Sequence, residues 1–170
     1  MSDWPDRIFD ALKAARVRQV ALVPDAGHGR LIERCRAEPT MRCVSLTTEA
    51  EGPPLLGGAW LGGQRGVLLM QSSGVGNCPN MLATVETCRF PLLMLVTMRG
   101  EGGEFNPWQV PMGRTAQALL ELYGTRVRRL EDPAEAGPMV AAAAGEAFSA
   151  QVPVAVLIAQ HVIGTKSFGK

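Results

Sequence analysis

Apolar residues fall along this chain in two rhythms that alternate from one end to the other. Asp3 and Pro5, followed by Ile8, Leu12 and Ala15, read as a capped amphipathic helix. Gln19 to Val23 is a short β-rich run stopped by Pro24-Asp25-Ala26-Gly27. A helix from His28 to Ala37 ends before Pro39, and Arg42 to Leu46 reads as a strand. Leu55 to Leu61 is helical and Gly66 to Met70 a strand; Pro79 opens a helix that runs to Cys88, and Pro91 to Thr97 is a continuous apolar strand. Met112 to Tyr123 is an amphipathic helix closed by Gly124, and Thr125 to Leu130 a strand. Pro133 to Ala150 is a helix interrupted at Gly137-Pro138, and Pro153 to Ala159 is the last strand.

Most of these strands are apolar or β-branched throughout rather than alternating, which fits burial on both faces of a parallel sheet. The expected fold is therefore α/β: a doubly wound, mostly parallel sheet of about six strands with helices on both faces and a ligand crevice at the carboxyl ends of the strands. Residues just after strands become the candidates for chemistry, namely Asp25 to His28, Thr47 to Glu51, Gln71 to Asn77, and Arg99 to Met112.

Composition narrows the picture. With 170 residues, 46% of them hydrophobic, the chain can bury a sizeable core, and residues 1–170 are read as one domain. Seventeen Lys and Arg against 16 Asp and Glu leave a formal charge of +1. The one local basic cluster, Arg126-Val127-Arg128-Arg129, lacks interleaved aromatics, so nucleic-acid binding is not indicated. Cys35, Cys43, Cys78 and Cys88 form no C-x-x-C pair and read as free thiols. The charged, amphipathic start is unlike a secretory leader and no apolar run is long enough to span a bilayer; a cytoplasmic protein with no membrane association is expected.

Gln71-Ser72-Ser73-Gly74-Val75-Gly76-Asn77 follows a buried strand, where glycines let backbone approach a ligand closely. The dinucleotide pattern G-x-G-x-x-G fails because Pro79 stands where the third glycine is needed, and there is no P-loop. Read without a ligand, the segment is a tight strand-to-helix turn with Asn77 as a cap. His28, at a helix start, suits a capping or surface role, or substrate contact at a strand end. The stretch from Arg99 to Gly113 is too long and glycine-rich for a plain connection, and Phe105 and Trp108 could anchor it or a partner chain. His161 has no assigned role.

Taken in order, the acidic turn Thr47-Thr48-Glu49-Ala50-Glu51, the strand, and the loop ending Gly74-Val75-Gly76-Asn77 resemble the pyrimidine-binding half of thiamine diphosphate enzymes. The likeness is greatest to the alpha subunits of two-subunit sulfopyruvate decarboxylases and to phosphonopyruvate decarboxylases. It extends over nearly the whole chain, through the Pro24-Asp25 turn, Arg99-Gly100 and Gln109-x-x-Met112-Gly113.

The resemblance implies that a glutamate hydrogen-bonds N1′ of the cofactor aminopyrimidine and favours the imino tautomer that removes the thiazolium C2 proton. Glu49 and Glu51 compete for that role. Counting back from the loop, with Gly58 and Trp60 at the family's glycine and aromatic positions, places it at Glu49. Thr48-x-x-Glu51 has capping-box spacing, in which the glutamate only satisfies a helix-start amide.

The resemblance further assigns Gln71, Ser73, Gly74, Gly76 and Asn77 to cofactor binding, His28 to catalysis, and Asp25, Arg99 and Gln109 to substrate. The substrate class it implies is a small 2-oxo acid, with a sulfonate or phosphonate group in the resembled enzymes. The chain has no Gly-Asp-Gly, so a separate beta subunit carrying that element is expected to bind the diphosphate and Mg²⁺ in a hetero-oligomer. Ser72 stands where the family has asparagine, and Pro53-Pro54 follows the acidic turn, so local geometry there departs from the pattern. A regulatory or scaffold subunit retaining the fold is the non-catalytic alternative, and a nucleotide-binding α/β protein is disfavoured by the missing phosphate loops.

Overall fold

The computed structural model describes residues 3–164. Its strands are β1 (Val17–Leu22), β2 (Arg42–Ser45), β3 (Arg65–Gln71), β4 (Leu92–Thr97), β5 (Arg126–Leu130) and β6 (Pro153–Ile158). They form one sheet in the order β2-β1-β3-β4-β6-β5, and every neighbouring pair is parallel. From β1 the chain turns one way to reach β2 and comes back past β1 to reach β3. The segments after β1 and β3 therefore diverge at adjacent strand ends, the position where such sheets open a crevice.

Helices α1 (Trp4–Ala14), α2 (Gly29–Ala37) and α7 (Ala136–Ala150) cover one face; α3 (Gly52–Leu61), α4 (Ser72–Val75), α5 (Pro79–Cys88) and α6 (Gln109–Leu122) cover the other. The uniformly apolar strands supply both layers because successive side chains point to opposite faces. In β4, Leu93 and Leu95 join Ile8, Leu31 and Val140, whereas Leu92, Met94 and Val96 join Leu56, Leu82 and Leu120. Each such side chain, removed from water, contributes roughly 1.5–3 kcal/mol. The alanine-rich run does more than favour helix: Ala143, Ala144 and Ala147 are wholly buried, and α7 packs chiefly against α1.

Several boundaries differ from the sequence reading. The turn of Pro133–Glu135 is 3-10, and α7 then runs unbroken through Gly137-Pro138; Pro138 lies in its first turn, where no intrahelical N–H is required. For the same reason α3 begins at Gly52, with Pro53 and Pro54 absorbed into its start instead of delaying it to Leu55. The glycine-rich segment after β3 is itself a turn of helix, α4. Helix α6 starts at Gln109 instead of Met112, and a short helix, α8 (Gln160–Ile163), follows β6. Among the described residues no helix is long and apolar enough to cross a membrane.

Candidate functional site

A groove of about 130 Å³ lies at the carboxyl ends of β1, β2 and β3, walled by Val23, Pro24, Asp25, Glu49, Gln71 and Ser73. Four of the residues singled out in the sequence thus face one space. Glu49 stands in the 3-10 turn before α3 and is only 8% exposed. Asn77 Nδ2 donates to its Oε2 at 2.8 Å, so Asn77 holds the carboxylate instead of capping α5. Oε1 accepts no hydrogen bond among the described residues.

Gly74 makes this arrangement possible. A Cβ at position 74 would lie 2.5 Å from both Cγ and Oε1 of Glu49, closer than side chains tolerate. Beneath it the Cys78 thiol donates to the Gly74 carbonyl at 3.3 Å, which ties α4 to the start of α5. Burial pushes that thiol up to about 12, with the neighbouring Glu49 carboxylate adding to the shift, so it serves as an inert strut.

Glu51 takes the other course. Its carboxylate turns back to accept from the Thr47 amide at 3.0 Å and the Thr47 hydroxyl, which lower its pKa, and the residue is exposed. The Thr48-x-x-Glu51 capping box does not form, since Thr48 makes no side-chain cap bond; Glu51 instead satisfies the amide of Thr47, one residue earlier. Of the two acids, Glu49 alone lines the groove.

Asp25 is held from three sides. Gln71 Nε2 donates to Oδ1 at 3.1 Å, while Thr97 Oγ1 at 2.7 Å and the Gly27 amide at 3.0 Å donate to Oδ2. A side chain at Gly27 would strike both Asp25 Oδ2 and Thr97. Gln71 Oε1 in turn accepts from Ser73 Oγ at 2.9 Å and from Gln109 Nε2 at 3.1 Å. Gly76 lies beside Met112, so the glycine-rich turn also packs on α6.

His28 and Arg99 are placed differently from expectation. His28 has no accessible surface; its Nε2 is 3.1 Å from the Leu95 carbonyl and donates to it, and burial lowers its pKa, leaving a neutral ring. It is not at the surface, makes no side-chain cap bond and is not among the residues that line the groove. Arg99 is turned into its own loop, where Nε at 2.6 Å and Nη2 at 2.5 Å donate to the Glu104 carboxylate.

Glu104, which the sequence reading passed over, is the hub of that loop. It also accepts from the amides of Gly100 and Asn106 and from Gln160 Nε2, and its side chain is 1% exposed. Glu101 and Gln160 exchange two further hydrogen bonds that fasten the loop to α8. The glycines that precede it, Gly102 and Gly103, hid this acid, since one charge in a polar loop reads as solvated surface. Trp108 is 69% exposed at the loop's end, and Phe105 stacks beneath the Arg99 guanidinium. His161 lies at the surface against Glu131. Among the described residues no group of three or more His, Cys, Asp or Glu is placed to hold a metal ion.

The Arg99 guanidinium, through its hydrogen bonds, holds the Glu104 carboxyl at about 2, well below its usual 4.5. Because the folded value is the lower one, the stabilisation is complete above about 4.5 and is lost as pH falls through about 2. We therefore expect the gap in urea midpoint between wild type and Glu104→Gln to narrow as pH is lowered across that window. Glu38, which the Lys13 ammonium holds at about 2, is unchanged in both proteins, so the difference reports Glu104. A gap independent of pH would show that the pair carries no such linkage.

Comparison with known proteins adds relatives to this geometry. The chain is 32% identical over 157 residues to the sulfopyruvate decarboxylase subunit alpha of Methanothermobacter thermautotrophicus, covering 92% of this chain and 95% of the relative. It is 30% identical to the subunit alpha of Methanocaldococcus jannaschii, over 88% and 89% respectively. Phosphonopyruvate decarboxylase of Streptomyces viridochromogenes is 38% identical over 62% of this chain, but only 27% of that longer protein is matched. Among solved structures, a 2-oxoglutarate:ferredoxin oxidoreductase from Magnetococcus marinus superposes with a TM-score of 0.76 at 15% identity, over 96% of this chain and 29% of the other, and so shares the fold. No family model matches the chain.

Proposed function

This chain belongs to the sulfopyruvate decarboxylase alpha-subunit family, and from that premise we propose that it is the pyrimidine-binding subunit of a thiamine diphosphate-dependent decarboxylase of small 2-oxo acids. The observation that carries the reading is Glu49: a buried carboxylate with one oxygen fixed by Asn77 and the other bare against Gly74 at the edge of a groove. The bare oxygen is an acceptor that opens on the groove, where a ligand's donor can reach it. A protonated ring nitrogen of the aminopyrimidine is a donor of the right kind, so the residues present fit the cofactor.

Thiamine diphosphate, when bound, supplies carbanion chemistry at the 2-oxo carbon. The work of this chain is to hold a proton at Glu49 Oε1 and exchange it with the pyrimidine nitrogen. Asn77 keeps the carboxylate from rotating, and Gly74 leaves the ring room to approach. Asp25, held by Gln71, Thr97 and the Gly27 amide, lines the same groove as Glu49, together with Gln71 and Ser73. Arg99 and His28 are engaged elsewhere in the chain and the Ser73 hydroxyl donates to Gln71, so the substrate's anionic groups are assigned to the second N–H of the Gln71 amide and to the partner.

Binding of the diphosphate and of Mg²⁺ is assigned to a second subunit, because this chain has no Gly-Asp-Gly and its relatives are alpha subunits. The purified chain alone is expected to turn over nothing, and co-expression with a Gly-Asp-Gly partner to restore decarboxylation. Robust turnover by the chain alone would overturn the reading. In the complex, 3-sulfopyruvate and 3-phosphonopyruvate should exceed branched or aromatic 2-oxo acids by about tenfold or more in kcat/KM. The opposite order would exclude the anionic-substrate class.

A further inference from the structure

A directed chain of side-chain amides runs from the loop after β4 into the groove. Gln109 Nε2 donates to Gln71 Oε1, and Gln71 Nε2 donates to Asp25 Oδ1. The direction is set by the neighbours. Turning the Gln71 amide over would aim its carbonyl at the Asp25 carboxylate and its NH₂ at the NH₂ of Gln109. Ser73 Oγ, the second donor on Gln71 Oε1, reinforces the same orientation.

Gln109 itself is placed by backbone, not by its own bonds. Gly100 adopts φ +80°, and a Cβ there would collide with the Gln109 carbonyl, while a Cβ at Gly113 would collide with the Arg99 carbonyl. The start of α6 is thus interlocked with the two residues whose loop Glu104 fastens. The cost of this placement is visible in Gln109 Oε1, which is buried with no partner among the described residues. A substrate-binding amide would leave its free atom toward the groove; Gln109 is absent from the groove wall and spends its one bond on Gln71.

We propose that Gln109 is a positioning residue, which locks the Gln71 amide so that an N–H always faces Asp25 and the folded state of the Arg99–Gln109 loop is conveyed to the groove. The kinetic consequence rests on the decarboxylase reading given above; the orientation of Gln71 does not.

The test has two arms. In the isolated, ¹⁵N-labelled chain, the side-chain amide of Gln71, assigned by its loss in Gln71→Leu, should be as rigid as ordered backbone, with an order parameter of about 0.85 falling below about 0.6 in Gln109→Leu. Gln109→Glu, which keeps the shape but replaces the donor by an acceptor, sets a second carboxylate in competition with Asp25 for the one Gln71 NH₂ and should likewise lower the order parameter and shift the resonances of that amide. In the reconstituted complex, Gln109→Leu and Gln71→Leu should each lower kcat on the order of tenfold with little change in KM, and the double variant should be no worse than Gln71→Leu alone. An unchanged Gln71 amide in both Gln109 variants overturns the proposal. So does a raised KM with multiplicative losses in the double variant, which would make Gln109 a direct substrate contact. If the wild-type complex fails to decarboxylate, the functional reading falls and the amide arm still decides this one.

Discussion

Glu49→Gln is expected to lower turnover of the reconstituted complex by about 10²–10⁴-fold, the range over which a positioned acid or base acts, while secondary structure and assembly are unchanged. The amide has the carboxylate's shape and can still present an oxygen to Asn77 Nδ2, so the turn before α3 should be retained. What it lacks is a proton it can give and take back at the position of Oε1. Exchange of the C2 proton of bound thiamine diphosphate for deuterium, followed by quenched-flow NMR, should slow in parallel. Glu51→Gln, whose carboxylate faces Thr47 at the surface, should leave turnover within about twofold of wild type, in line with surface positions generally. Reversal of the two effects, or wild-type exchange in Glu49→Gln, would remove Glu49 from the role.

Gly74→Ala should separate activity from stability. Gly74 lies in α4 without a positive φ, so alanine suits its backbone and, by helix propensity alone, favours the fold by up to about 1 kcal/mol. The new methyl would nevertheless sit 2.5 Å from Glu49 Cγ and Oε1, and the flexible partner is the glutamate. The carboxylate is therefore expected to swing off Asn77 and away from the groove. A displacement of this size should cost on the order of 10²-fold in kcat, with a thermal midpoint close to that of wild type. Wild-type turnover in Gly74→Ala would mean that the carboxylate has no required position. Loss of fold would mean that the methyl is accommodated by moving α4 instead.

Much of this architecture was legible along the chain because period and punctuation are local. Unbroken apolar runs such as Pro91 to Thr97, separated by amphipathic stretches, indicated a two-sided parallel sheet, and β4 is buried on both faces. Boundaries were less legible where proline served as a helix start instead of a break. The windows containing the groove were identified for a similar reason: functional side chains in such sheets come from segments that immediately follow strands.

The family resemblance agreed with the comparison, in which the likeness to a sulfopyruvate decarboxylase subunit alpha runs over 92% of this chain. The partners within the site were beyond reach of any sequence pattern. Arg99 reads as a free cation after a strand until Glu104, five residues on, folds back onto it. His28 reads as a cap until Leu95, on another strand, is found above its ring nitrogen.

The sequence by itself determined the layering of the sheet, the strand ends at which chemistry could sit and the short list of acids and amides available there, because these follow from periodicity and chain order. Only the tertiary structure decided which acid faces the groove, that Gly74 is there for the sake of Glu49, and that Gln109 reaches Asp25 through Gln71. Those are contacts between residues 25, 38 and 46 positions apart, and they exist only once neighbouring strands are in register.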